Sequence, residues 1–146
     1  MSSEQAISFK GIHHIALATA HLEDTIHFYR DVLGMQVSEI YPSREGRGRH
    51  CLVLLKPDDN DIWGFHFFER SLSGERSSDQ AGENSGEALL HIALRLQDEA
   101  AAHMLKERLH KARGAITDIP ELGSFLFADN NNIFLEATWP RASAGA

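Results

Sequence analysis

The tetrapeptide His14-Ile15-Ala16-Leu17 returns unchanged as His91-Ile92-Ala93-Leu94, each copy opening a strand-like run that leads into a helix-like one. Alternate side chains of an extended strand point to opposite faces. Ile15 and Leu17 therefore share an apolar face in the first copy, as do Leu90, Ile92, Leu94 and Leu96 in the second. His14, Ala16 and Ala18 lie opposite, and so do His91, Ala93 and Arg95, which leaves each histidine small neighbours and open space beside it. The chain reads as two copies of one unit facing each other across a shared site.

The segments after each strand repeat as well. Leu22, Ile26, Tyr29 and Leu33, filled in by Thr25 and Val32, form a helical stripe that Gly34 stops. Ala101, Leu105, Leu109 and Ala112 form the second stripe, with Asp98 placed as its N-cap and Gly114 as its stop. His21 stands where the first helix begins and is a weaker cap. Strands are expected at 11–18, 36–41, 51–55 and 63–69, then at 88–96, 116–119, 124–128 and 133–139, with helices at 22–33 and 99–113. Each unit is strand, helix, then three strands, which makes an eight-stranded α+β protein. Residues 10–70 are the first βαβββ module and 88–140 the second. Residues 71–87, rich in Ser, Glu and Gly, are the linker, within one domain spanning 1–146.

Composition narrows the function classes. With 146 residues, of which 42% are hydrophobic, there is material for one compact core shared by both halves. A formal net charge of −7 argues against nucleic acid as a partner. No apolar run is long enough to cross a bilayer and the N-terminus lacks signal-peptide character, so a cytoplasmic protein is expected. Cys51, in the run Cys51-Leu52-Val53-Leu54-Leu55, is a buried small hydrophobe without an internal disulfide partner. Arg44, Arg47 and Arg49 sit in a polar loop that could close over an anion, although a solvated loop is the plainer reading.

The first tetrapeptide, followed by His27-Phe28-Tyr29-Arg30-Asp31-Val32-Leu33-Gly34-Met35, resembles the opening of a vicinal oxygen chelate module. That superfamily includes glyoxalase I, extradiol dioxygenases, methylmalonyl-CoA epimerase, and fosfomycin and bleomycin resistance proteins. The resemblance covers nearly the whole chain apart from its tails and central linker. It implies two modules forming cupped, eight-stranded mixed sheets, and a homodimer in which halves can be exchanged between subunits. It also implies one divalent metal ion held at His14, His91 and Glu136, the two-histidine, one-carboxylate set that leaves positions open for substrate or water. Nickel, zinc, manganese, cobalt and ferrous iron all accept such ligands.

Superposing the copies sets His66 of the first unit's last strand against Glu136 of the second's, making His66 a candidate fourth ligand. Glyoxalase I and the epimerase usually have Glu or Gln there, and a one-residue slip would turn Phe67 or Glu69 inward instead. An isolated strand histidine is more often a hydrogen-bonded core residue than a ligand, and it is the matched pair at His14 and His91 that argues for ligation. His13, His27, His103 and His110 read as structural or solvated, while His50 ends a loop near the mouth of the site. Arg95 could meet an anionic substrate group or simply pair with a carboxylate, and Phe68 and Phe134 share parity with the ligands and can shape the pocket.

The resemblance implies a metal that chelates vicinal oxygens of a small substrate and stabilises an enolate-like intermediate, in a lyase or isomerase of the glyoxalase type, with Glu136 as the catalytic base. An Fe(II) extradiol dioxygenase is the second reading, although the second unit has no tyrosine and no further strand histidine to support it. A thiol transferase like the fosfomycin resistance proteins is the third. The contrasting class is a metal-free protein that sequesters a ligand, as bleomycin-resistance relatives do; such proteins generally lack the ligand set.

Overall fold

The computed structural model describes residues 5–71 and 88–141. The expected linker therefore lies, apart from residue 71, outside the described residues. The first half runs β1 (His14–Thr19), α1 (Leu22–Ile26), a π-helical continuation (His27–Val32), β2 (Gln36–Val37), β3 (His50–Leu54) and β4 (Gly64–Glu69). The second runs β5 (Ile92–Arg95), α2 (Glu99–Lys111), β6 (Ile116–Ile119), β7 (Ser124–Ala128) and β8 (Phe134–Thr138). The strands make two four-stranded sheets, ordered β1-β4-β3-β2 and β5-β8-β7-β6, so the two halves share one topology. In each sheet the first and last strands pair in parallel and the others antiparallel, which makes an α+β protein with mixed sheets.

Several boundaries differ from the sequence expectation, each for a local reason. β5 starts at Ile92 rather than at 88, because β8 begins only at Phe134 and offers no strand partner further back; Leu89 and Leu90 are exposed. The strand expected at 36–41 breaks after Val37. The Leu52 N–H is accepted by the Ser38 hydroxyl at 2.8 Å instead of a backbone carbonyl, leaving only an isolated bridge from Tyr41 to His50. The first helix widens at its end, where the Leu33 N–H reaches the Phe28 carbonyl five residues back at 3.0 Å. Gly34 then reverses the chain at φ +78, with the Arg108 guanidinium lying where a Cβ would point. At the end of α2 it is Arg113, not Gly114, that takes the left-handed turn, at φ +61.

The helix starts show how capping is arranged. Asp98 accepts the Ala101 N–H at 2.9 Å, a regular side-chain cap for α2. His21 makes no such bond; the Leu22 N–H is instead accepted at 3.0 Å by Glu69, from the end of β4. The acid for the first helix thus comes from a distant strand, and sequence proximity alone would not reveal it.

Buried side chains from both halves form one cluster, including Leu22, Tyr29, Phe65, Phe67, Leu109 and Phe125. Tyr29 packs edge-on against Phe65, with ring centroids 5.8 Å apart, and burying each such side chain contributes about 2–3 kcal/mol. A buried polar junction joins the halves. The Tyr29 hydroxyl donates to Asp129 at 2.7 Å, and Thr19 and Thr25 bond Asn131 and Asn130 of the β7–β8 turn. No helix among the described residues is long and apolar enough to cross a membrane.

Candidate functional site

On the first sheet, His14, Ala16, His66 and Phe68 share the face turned away from the helix. Ala16 stands opposite His66 in the β1–β4 ladder. On the second sheet, Ala93 stands opposite Glu136 in the β5–β8 ladder. Ala16 and Ala93 are the third residues of the repeated tetrapeptide, so His66 and Glu136 occupy one register position in two sheets of identical order.

The rings of His14 and His66 lie 6.0 Å apart, with the indole of Trp63 5.2 Å from the first and 6.0 Å from the second. Burial, then the nearby His50 and His14 rings, lower the His66 pKa, which favours its neutral imidazole. Its Nε2 meets Nδ1 of His50 at 2.8 Å, and the His50 ring stacks on Phe68. His13, which read as structural or solvated, has its Nδ1 2.8 Å from that of His14.

In the second half, His91 Nε2 lies 3.4 Å from Glu136 Oε2. Glu136 is buried, and its other oxygen accepts the hydroxyl of buried Ser124 at 2.9 Å. Ser124 was not singled out from the sequence. The available signal was parity, since Leu126 stands opposite Glu136 and Ser124 lies two residues from Leu126 on the same face. A serine that fixes one carboxylate oxygen leaves the other aimed at the imidazole.

The chain therefore gathers the four expected groups as two pairs, His14 with His66 and His91 with Glu136. Among the described residues, no three His, Cys, Asp or Glu side chains are placed to hold one metal ion together. Each pair lies on its own sheet, where His14, Ala16, Ala93 and Arg95 are exposed. β1 and β5 are both edge strands of their sheets.

Of the pocket candidates, Phe68 lies beside His66, with ring centroids 4.2 Å apart. Phe134 starts β8 half-buried. Arg95 lines a different cavity of about 690 Å³ at the junction of the halves, with Arg108 and Met104. The loop arginines divide. Arg49 is held by Glu23 at 2.8 Å and Glu69 at 2.8 Å, whereas Arg47 lines a pocket of about 530 Å³ over His14 and His66.

This arrangement of strand, helix and three strands, twice over, with imidazoles and an acid at repeated positions, defines a class. The chain belongs to the Glyoxalase/Bleomycin resistance protein/Dioxygenase superfamily, whose family model matches residues 11–134. It is similar to the mitochondrial methylmalonyl-CoA epimerase of Mus musculus, 41% identical over 64 residues; the match covers 37% of this chain and only 36% of the epimerase. Its fold is similar to that of glyoxalase I from Leishmania major, with TM-score 0.65 and 19% identity over 89% of this chain and 86% of that one. It is likewise similar to the fosfomycin resistance protein FosX of Listeria monocytogenes, in a mutant form complexed with Mn(II) and 1S,2S-dihydroxypropylphosphonic acid. There the TM-score is 0.63, with 18% identity over 90% of this chain and 93% of that one.

Proposed function

We propose that this chain is a metal-dependent enzyme of the lyase or isomerase type, acting on a small molecule with vicinal oxygens. We further propose that it works as a homodimer in which His14 and His66 of one subunit meet His91 and Glu136 of the other. The observation that carries the reading is the His91–Glu136 pair. A buried carboxylate, oriented by Ser124, has an imidazole 3.4 Å away.

That donor set suits a divalent cation. Two or three imidazoles and one carboxylate match nickel, zinc, manganese, cobalt or ferrous iron, and the related FosX structure contains Mn(II). His14, His91 and Glu136 would hold the ion, with His66 as a fourth ligand. When bound, the ion would polarise a chelating pair of substrate oxygens. Glu136 would hold or move a proton beside it, with Ser124 keeping its second oxygen in place. Phe68 and Trp63 would form an apolar wall that limits water access. Division of the chain into modules at 10–70 and 88–140, joined by 71–87, is part of this proposal, because a long joint lets halves of two chains combine.

The test is metal content of the purified protein, by elemental analysis, together with its mass in solution. One ion per subunit is expected, lost in both His14→Ala and His91→Ala. Mixing those two variants as refolded or co-expressed heterodimers should restore about half the sites, because each heterodimer has one composite site free of either substitution. A protein that binds no metal and still takes up small ligands would favour the sequestering class. Full metal on a monomer would overturn the shared site.

A further inference from the structure

We infer that the pocket over His14 and His66 ends in an anion-binding subsite formed by Arg47 and Arg70, so the substrate is a small organic anion with a flat apolar body. This rests on the proposed site and identifies the class of molecule it takes. The chain is formally −7, yet the described residues lining this pocket include two arginines and no carboxylate.

Arg70 is positioned by backbone rather than by an acid. Arg70 follows β4 and shares parity with His66 and Phe68. Its N–H bonds the Thr19 carbonyl at 2.9 Å, and its guanidinium lies 5.6 Å above the Phe68 ring. Its Nε donates to the Arg47 carbonyl at 3.2 Å, which uses one of the five guanidinium donors. Arg47 pairs loosely with exposed Glu45, at 3.8 Å.

The loop that carries Arg47 is pinned. The Gly48 N–H donates to the Ser43 hydroxyl at 3.0 Å, and the Glu69 N–H to the Arg49 carbonyl at 2.8 Å. Gly48, at φ +97, passes so close to the Glu69 carbonyl that any Cβ would collide with it. Arg49, two residues on, provides the contrast, because Glu23 and Glu69 both neutralise it.

From imidazoles to guanidiniums the pocket runs over Phe68, with Trp63 at the histidine end. Arg70 is four residues along an extended strand from His66, so a ligand touching both ends is on the order of 10 Å long. Planar guanidiniums favour carboxylate or phosphonate oxygens, which they bind in pairs. An aromatic or unsaturated body would lie over Phe68, between the imidazole and guanidinium ends.

The experiment uses full-length protein, with and without its metal, in a Trp139→Phe background so that Trp63 reports alone. Phenylphosphonate, benzoate and neutral benzyl alcohol are titrated while fluorescence is followed. The two anions should bind saturably, with affinity falling as salt rises, and benzyl alcohol should not bind. Arg47→Gln and Arg70→Gln should each weaken the anions about tenfold, as loss of a charge-assisted contact does, while Arg70→Lys retains part of the affinity. Unchanged affinity in both Gln variants, or equal binding of benzyl alcohol, would overturn the subsite. So would a loss of dimer mass in Arg70→Gln with anion binding intact, because the arginine then serves a subunit contact. Anion binding by metal-free protein reads the arginines alone. If it persists while His91→Ala leaves metal content unchanged, the metal reading fails and this one stands.

Discussion

Tyr29→Phe removes one oxygen from the centre of the junction between the halves, and its effect should depend on pH in a defined direction. The Tyr29 hydroxyl donates to one oxygen of Asp129 at 2.7 Å, while the other oxygen accepts the Asn131 and Ile133 N–H groups at 2.8 Å each. Burial raises the Asp129 pKa, and the bonds from Tyr29, Ile133 and Asn131 pull it back down. Burial, then the neighbouring carboxylate, raises the Tyr29 hydroxyl well above its ordinary value, so it stays protonated as the donor.

Losing a hydrogen bond to a charged group costs about 1.5–3 kcal/mol. For a chain of this length that lowers Tm by roughly 4–9 °C near pH 8. Because the folded pKa of Asp129 is raised, its protonated form is favoured in the fold, and the cost of burying the carboxylate is fully felt only above that pKa. Deleting the hydroxyl raises the folded pKa further. The gap between wild type and variant should therefore be widest near pH 8 and narrow as pH falls towards about 4.5. Circular dichroism melts at the two pH values read this directly. A gap that widens in acid, or one below about 1 °C at both pH values, would refute the account.

Two other outcomes follow from the same structure. Glu69→Ala removes both the acceptor for the Leu22 N–H and a partner of Arg49, and should cost about 1 kcal/mol at neutral pH. The backbone bond from Leu22 is the main cause that lowers the Glu69 pKa, so its contribution is present above the ordinary carboxylate range and lost as acid protonates it; wild type and variant should converge in acid melts. Cys51 is fully buried, and that burial pushes its thiol up to about 11. Iodoacetamide near pH 8 should leave it unlabelled in the folded protein and alkylate it in denaturant, by mass spectrometry.

The repeated tetrapeptide made the architecture readable, because a strand's alternation and a helix's stripe are properties of neighbouring residues. It also fixed which residues share a face, as the Ala16–His66 and Ala93–Glu136 partners illustrate. What could not be read depends on contacts between distant segments. Glu69 caps a helix that starts 47 residues earlier, Ser124 holds the Glu136 carboxylate from the next strand, and His50 reaches His66 only once the loop between β2 and β3 has folded. The break in the second strand came from one hydroxyl, that of Ser38, which displaces a backbone acceptor at no cost in hydrophobic pattern.

His66 and Glu136 stand at one register position in two sheets built to the same plan. Had both been imidazoles, a cup lined by the two sheets would present a visiting molecule with two interchangeable poses related by its internal dyad. One carboxyl group in place of one imidazole abolishes that degeneracy: the two groups mark opposite sides, so the two poses of a prochiral molecule in the proposed site would no longer be equivalent.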